Sequence, residues 1–114
     1  MEIKIIKEKI NREELEKIAQ QEYVTLVKIA VDTKKEIIAL GGEWHSECQE
    51  VLIENGSINK NIWGANVTVS APKKDRVTFH SLINVKPHCG HQQMEIQNAD
   101  IKEKITQIID KLIE

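Results

Sequence analysis

The residue types that carry out most protein chemistry are concentrated in the middle of this chain. All four histidines, both cysteines, both tryptophans and all five glycines lie between Gly41 and His91. Lysine, glutamate, isoleucine and leucine dominate the segments on either side. We therefore expect the outer segments to form a scaffold, and three candidate sites can be argued within the middle one.

The first candidate site is the sequence Gly41-Gly42-Glu43-Trp44-His45, between a predicted strand and a predicted helix. Glycines let a backbone approach a ligand closely, and amides at a helix N-terminus attract anions. Glu43 and His45 could act as general acid or base or as metal ligands, and Trp44 could stack on a ligand. The alternative is a simple strand-ending turn, with Trp44 in the core and Glu43 and His45 in solvent or at the helix start. The spacing matches no nucleotide-binding fingerprint.

The second candidate site is the polar face of a predicted hairpin, which carries Asn66, Thr68, His80 and Asn84. Neutral imidazole and amide groups both donate and accept hydrogen bonds, so this face could hold a polar ligand, with His80 as a further acid or base. The alternative is the solvated outer face of a sheet that is covered on one side.

The third candidate site is the sequence Pro87-His88-Cys89-Gly90-His91. His88 and His91 could present two imidazoles to one metal ion, which makes a metal the candidate cofactor. A zinc site normally needs further ligands at a matching spacing, and the chain has no second knuckle of this kind. The alternative is a polar, glycine-containing loop. The absence of a C-x-x-C pair argues against a simple redox site.

Size and composition indicate one domain, residues 1–114. The net charge of −2 gives no reason to expect a nucleic-acid partner, and we interpret the short basic cluster at 73–76 as a charged turn. The sequence has neither an apolar run long enough to span a membrane nor the apolar core of a signal peptide. With only two cysteines, we expect a cytoplasmic protein with reduced thiols and no membrane partner.

The scaffold is predicted from periodicity and from capping residues. Asn11 begins the first helix, Ser46 with Gln49 caps the second, and Asp100 with Glu103 caps the last. The fold class is α+β: a mostly antiparallel sheet of four to five strands, covered on one face by about three helices. The order is β-α-β-β-α-β-β-α. The predicted strands are 2–6, 23–32, 36–40, 62–71 and 76–85. The first helix ends near residue 21, the second spans 47–55, and the third runs from 100 onward.

The last two strands alternate between apolar and polar residues, which sets an expected register. If Ser70 pairs with Arg76, Asn66 lies opposite His80, and the apolar sides of the two strands coincide. A slip by one residue would break this agreement.

Four short motifs, Gly-Gly-Glu-Trp-His at 41–45, Gly-Ser at 56–57, Trp-Gly-Ala-Asn at 63–66 and Ile-Asn-Val-Lys-Pro at 83–87, point to a family. With its flanking helices, the chain resembles a family of small prokaryotic proteins catalogued only as a domain of unknown function. The resemblance covers nearly the whole chain and implies a single-domain cytoplasmic protein. It carries over no catalytic residues. In that family the loop after Lys86-Pro87 does not usually contain His-Cys-Gly-His.

Three functional hypotheses follow, and the sequence leaves open whether the protein is an enzyme. The first is a binding or catalytic pocket for a small, anionic molecule, formed by the 41–45 turn together with Asn66, His80 and Asn84. The second is a non-enzymatic interaction module or homo-oligomer that works through a helix face or a sheet edge. The third is a metal-binding protein that uses His88 and His91.

Overall fold

The structure is a computed structural model that describes residues 3–22 and 25–114, with the backbone only at residues 21 and 22. Two predicted strands extend beyond this range, because Glu2, Tyr23 and Val24 lie outside the described residues. The helices are α1 (Arg12–Glu22), α2 (His45–Glu54) and α3 (Ala99–Leu112), and the strands are β1 (Lys4–Ile6), β2 (Leu26–Asp32), β3 (Ile37–Leu40), β4 (Ile62–Thr68) and β5 (Val77–Thr78).

The five strands form one sheet in the order β1-β3-β2-β4-β5, and every neighbouring pair is antiparallel. The α+β class and the antiparallel sheet are thus confirmed. β2 lies at the centre, as expected for a strand that is apolar on both faces. Short single-turn helices at 59–61, 73–75, 82–84 and 87–89 connect the later elements.

The helices cover both faces of the sheet, which differs from the expected one-sided arrangement. α1 and α3 pack on one face, where Ile29 and Val31 of β2 meet the buried isoleucines of α3. α2 packs on the opposite face, where its Leu52 meets Ala30 of β2. Strand residues alternate between faces, so a strand that is apolar throughout needs cover on both sides. Each fully buried Leu or Ile contributes roughly 1.5–3 kcal/mol to stability.

The two predicted capping boxes both lie two residues too far along the chain. Asn98 begins α3, because its side-chain oxygen accepts from the amides of Asp100 and Ile101 at 2.9 and 3.1 Å. The prediction at Asp100 was therefore wrong in position. The spacing of the apolar residues in this helix also predicts one buried stripe, and it is confirmed: four of its five members are buried and Ile101 is partly buried. The four are Ile105, Ile108, Ile109 and Leu112. The Asn11 cap of α1 is also confirmed, with the Glu14 amide 2.8 Å from Asn11 Oδ1.

The predicted hairpin register is wrong by two residues. Asn66 pairs with Thr78, whereas the alternation predicted His80 as its partner. β5 is also much shorter than the predicted strand, because the chain leaves the sheet after Thr78 and forms a single-turn helix at 82–84. A shift by two keeps each β4 side chain on its expected face, so Trp63, Ala65 and Val67 lie in the predicted core.

No helix within the described ranges is both long and apolar enough to cross a membrane.

Candidate functional site

His45 is the first residue of α2, and the residue that caps the helix, Trp44, lies two residues before the predicted cap at Ser46. Trp44 is the N-cap residue in an extended conformation, and Glu47 accepts a hydrogen bond from the Trp44 amide at 2.9 Å. This is half of a capping box, and a carboxylate in the first turn also favours the helix dipole. The prediction of Ser46 and Gln49 as the cap was wrong, and α2 therefore begins with an imidazole.

The imidazole of His45 is anchored to β4. Its Nε2 lies 3.0 Å from the carbonyl oxygen of Ala65. A carbonyl can only accept, so Nε2 carries the proton and Nδ1 of the neutral ring carries the lone pair. Burial lowers the pKa of His45 below 6.5, and the charges of Lys28 and His80 lower it further, against the opposing effect of hydrogen bonds to Ala65 and Asn66. The ring is therefore neutral at pH 7.

Three strands place a row of polar residues beside this imidazole. Lys28 of β2 pairs with Asn66 of β4, and Asn66 pairs with Thr78 of β5. The side-chain amide of Asn66 donates to Thr78 Oγ1 at 3.2 Å and to the carbonyl oxygen of His80 at 3.0 Å. Asn66 thus ties the end of β5 to β4 on the face that α2 covers.

The turn before α2 meets the same row. The ammonium group of Lys28 donates to the carbonyl oxygen of Glu43 at 3.1 Å and lies 4.9 Å from the ring centroid of Trp44. Trp44 is 56% exposed, so it is a surface residue rather than a core residue. Two segments that the sequence presented as separate candidate sites, the 41–45 turn and the hairpin face with Asn66 and His80, therefore come together.

The two glycines of the turn are in the interior. Gly41 adopts a φ of 103°, which favours glycine. A Cβ on Gly42 would lie 3.1 Å from Ile3 and 3.3 Å from the sulfur of Cys48, so this residue packs tightly under α2. The glycines thus shape the turn from inside, while the Glu43 and Trp44 side chains form its exposed part.

Asn84 does not belong to this polar surface. Its side chain is fully buried, accepts from the Gly64 amide at 2.7 Å, and donates to the carbonyl oxygens of Gly64 and Met94 at 3.0 Å each. These bonds use the groups with which it would hold a ligand. Asn84 is a structural cross-link, and the expectation that it faces outward with Asn66 was wrong.

The two histidines of the third candidate site have different environments. His88 is exposed on the single-turn helix Pro87–Cys89. His91 donates from Nδ1 to the Asn84 carbonyl oxygen at 2.7 Å and accepts at Nε2 from the Gln97 amide at 3.2 Å. Within residues 3–22 and 25–114, no group of three or more His, Cys, Asp or Glu side chains could hold a metal ion. Metal binding by His88 and His91 stays a prediction without geometric support.

Sequence reasoning missed Lys28 and Thr78. A lysine inside the apolar segment Leu-Val-Lys-Ile-Ala-Val looks like an interruption of a core strand. Its position opposite Asn66 could be recognised only with the pairing of β2 and β4, which the sequence does not supply.

A separate cleft of about 640 Å³ lies between β1 and α1. Its lining consists of isoleucine, lysine and glutamate side chains and contains none of the predicted site residues. It therefore adds no group to the polar surface around His45.

Comparison with known proteins agrees with the resemblance seen in the sequence. The chain matches no curated protein and no solved structure. The model of the DUF5674 family, described as a protein of unknown function, matches residues 4–112. The chain therefore belongs to the DUF5674 family of proteins of unknown function.

Proposed function

We propose that the protein binds a small anionic molecule on the surface formed by Lys28, Trp44, His45, Asn66, Thr78 and His80, here termed the His45 surface. The observation that carries the proposal is the hydrogen bond between His45 Nε2 and the Ala65 carbonyl oxygen. It holds the N-terminus of α2 against the polar row of β2, β4 and β5.

The charge of this surface favours an anion. The α2 N-terminus carries partial positive charge, and its first backbone amides have no partner one turn earlier. Lys28 adds a full positive charge, and its field reaches His45, whose pKa it lowers. The Glu47 carboxylate is bonded to the Trp44 amide within the cap. The whole chain has a net charge of −2, and Glu43 is exposed in the adjoining turn, so the positive character is confined to Lys28 and the first amides of α2.

The same surface offers an apolar wall and further hydrogen-bond donors. The exposed ring of Trp44 could pack against the uncharged part of a ligand. Thr78 Oγ1 accepts from Asn66, so its own proton can point to a ligand. If a reaction takes place here, His45 Nδ1 is the base and Glu43 or His80 the second acid–base group.

Binding can be measured with inorganic phosphate and sulfate by following backbone amide shifts in NMR spectra. We expect saturable shifts at the start of α2 and at Asn66. Binding should be about tenfold weaker for His45→Ala, which loses the bond to the Ala65 carbonyl oxygen, and this corresponds to roughly 1.4 kcal/mol. His88→Ala is the matched control, because His88 is exposed on another loop, and it should bind like the wild type. Shifts spread over the entire protein, or equal affinity for His45→Ala, would contradict the proposal.

A second candidate function is self-association or the binding of a partner protein, which the exposure of Leu82 favours. Leu82 is 72% exposed at the start of the single-turn helix 82–84. Burying this exposed leucine side chain against another protein surface would lower the free energy of the complex. Light scattering across a range of protein concentrations tests self-association. A constant monomer mass for both the wild type and Leu82→Ser would contradict self-association.

A further inference from the structure

We infer that the His45 surface takes up a proton at His45 when it binds its anion, so that its affinity for anions rises as the pH falls. This inference rests on the proposed function and adds a mode of regulation to it. Its physical basis is the anchoring of the ring, the charged groups that face it, and the reciprocity of linked binding.

The anchoring of His45 leaves one nitrogen to titrate. Nε2 keeps its proton because it donates to the Ala65 carbonyl oxygen at 3.0 Å. Protonation therefore takes place at Nδ1, where the neutral ring has a lone pair. A lone pair repels an anion, whereas a protonated Nδ1 attracts it and can donate to it. The ring thus has one state that is unfavourable for anion binding and one that is favourable.

The charged groups that face His45 determine which state is populated without a ligand. Lys28 approaches from β2, and His80 approaches from the segment after β5. β4 contributes the Ala65 carbonyl oxygen and the Asn66 amide, neither of which titrates. On the side of α2, Glu43 precedes the helix, and Glu47 is bonded to the Trp44 amide. Burial, above all, and the charge of Lys28 keep the His45 ring neutral in the free protein, and His80 also opposes a positive charge there.

A bound anion changes this balance. Its negative charge offsets the field of Lys28 and His80, so the protonated ring becomes more favourable in the complex than in the free protein. By linkage, an anion that promotes protonation is itself bound more tightly when the ring is protonated. The expected result is a decrease in the apparent dissociation constant as the pH falls through the range where histidines titrate.

Sulfate is the suitable probe, because its charge does not change between about pH 5.5 and about pH 8, where histidine titrates. We expect sulfate to bind about tenfold more tightly at the lower pH. Calorimetry in two buffers with different heats of ionisation should show proton uptake on binding at intermediate pH. The histidine ring resonances should assign that proton to His45.

Three variants identify the group responsible. His45→Gln preserves a side-chain N–H that can reach the Ala65 carbonyl, and it should bind sulfate with little pH dependence. His88→Gln should keep the wild-type pH dependence. Melting curves of each variant establish that it is folded at both pH values. If His80→Gln abolishes the pH dependence and His45→Gln does not, the assignment to His45 is overturned.

Loss of the proton coupling and loss of the anion site give different results. Equal sulfate affinity at both pH values, or binding without proton uptake, would overturn the coupling while the anion site stands. No sulfate binding at either pH would overturn both the coupling and the anion site.

Discussion

The side-chain amide of Asn84 bonds to both backbone groups of Gly64, as a neighbouring strand would. The Gly64 amide donates to Asn84 Oδ1 at 2.7 Å, and Asn84 Nδ2 donates to the Gly64 carbonyl oxygen at 3.0 Å. β5 pairs with β4 only at Asn66 and Val67, so Asn84 takes its place farther along β4. The close approach requires glycine, because a Cβ on Gly64 would lie 2.5 Å from the Cβ of Ser81.

We expect Asn84→Leu to destabilise the fold by roughly 2–4 kcal/mol, because it leaves both Gly64 groups buried without a partner. The measurement is the free energy of unfolding from urea denaturation. Gln93→Leu, at an exposed position in the following segment, is the control, and it should change stability by less than about 0.5 kcal/mol. A similarly small effect for Asn84→Leu would show that water or another group replaces the amide.

Arg76 should be the most important residue of the basic cluster at 73–76 for stability. The cluster was interpreted as a charged turn, which holds for the exposed Lys73–Asp75 segment, but Arg76 is only 1% exposed. Its guanidinium donates to the carbonyl oxygens of Ile113 and Glu114 at 2.7 and 2.8 Å and so joins β5 to the end of α3. Arg76→Ala should cost roughly 2–4 kcal/mol of unfolding free energy, because those carbonyls lose their partner.

Matched variants separate the fork of Arg76 from its charge. Arg76→Lys keeps the charge but cannot donate to both carbonyls as the planar guanidinium does. Its unfolding free energy should therefore lie between those of the wild type and Arg76→Ala. Lys74→Ala, in the exposed part of the same cluster, should leave the unfolding free energy unchanged within about 0.5 kcal/mol. Equal losses for Lys74→Ala and Arg76→Ala would contradict the structural role.

The last helix was predictable because the spacing of its apolar residues shows directly which face is buried. The spacing of Ile105, Ile108, Ile109 and Leu112 specifies a single buried stripe, and all four are buried. The 76–85 segment alternates as a strand does, yet Ser81 caps a single-turn helix and Asn84 replaces strand pairing with its side chain. Alternation alone cannot distinguish a strand from a segment in which a side chain, here that of Asn84, bonds to the neighbouring strand in place of a backbone.

The candidate site was predictable in parts but not as a whole. His45 and Asn66 stood out by residue type, and each lies on the polar surface. Their meeting depends on two facts that local patterns do not encode: β2 pairs with β4, and α2 lies on the opposite face from α1 and α3. Asn84 was misassigned for the same reason, since a polar residue of a strand pattern is expected to face solvent.

The two cysteines should differ strongly in reactivity. Cys48 is fully buried, and burial raises the pKa of its thiol to about 11, whereas Cys89 is exposed. The thiolate is the reactive form, so a disulfide reagent at about pH 8 should modify Cys89 first. The count of reacted thiols should be one in the native protein and two after unfolding. Cys89→Ser should remove the native reaction, and rapid loss of both thiols in the folded protein would disprove this assignment.

Lys86 should destabilise the fold less as the pH rises. Its side chain is 1% exposed, and its ammonium group donates to Asn59 Oδ1 at 2.9 Å and lies 5.5 Å from the Trp63 ring centroid. Burial lowers its pKa below 10.5. Between the folded and unfolded pKa values the unfolded chain binds more protons, so raising the pH stabilises the fold.

The comparison with Lys86→Met isolates this effect, because methionine fills a similar volume without a charge. The unfolding free energy of the wild type should rise relative to Lys86→Met as the pH increases from about 8 to about 10. Lys60→Met, at an exposed position, should show no such trend. If the difference in unfolding free energy between the wild type and Lys86→Met does not change with pH, Lys86 titrates alike in the folded and unfolded protein.

His45 should make the fold sensitive to mild acid. Its pKa is lowered from 6.5 mainly by burial and further by Lys28, so between the folded and unfolded pKa values the unfolded chain binds more protons than the folded protein. The stability contributed by the neutral ring is therefore complete above pH 6.5 and decreases as the pH falls through that value.

This loss can be measured by denaturing the wild type and His45→Gln in a chloride buffer from about pH 7.5 to about pH 5. The wild type should lose unfolding free energy relative to His45→Gln over this range, and His88→Gln should follow the wild type. Added sulfate should reduce the loss in the wild type alone, since a bound anion stabilises the protonated ring. Parallel curves for wild type and His45→Gln would show that the ring titrates equally in the folded and unfolded states.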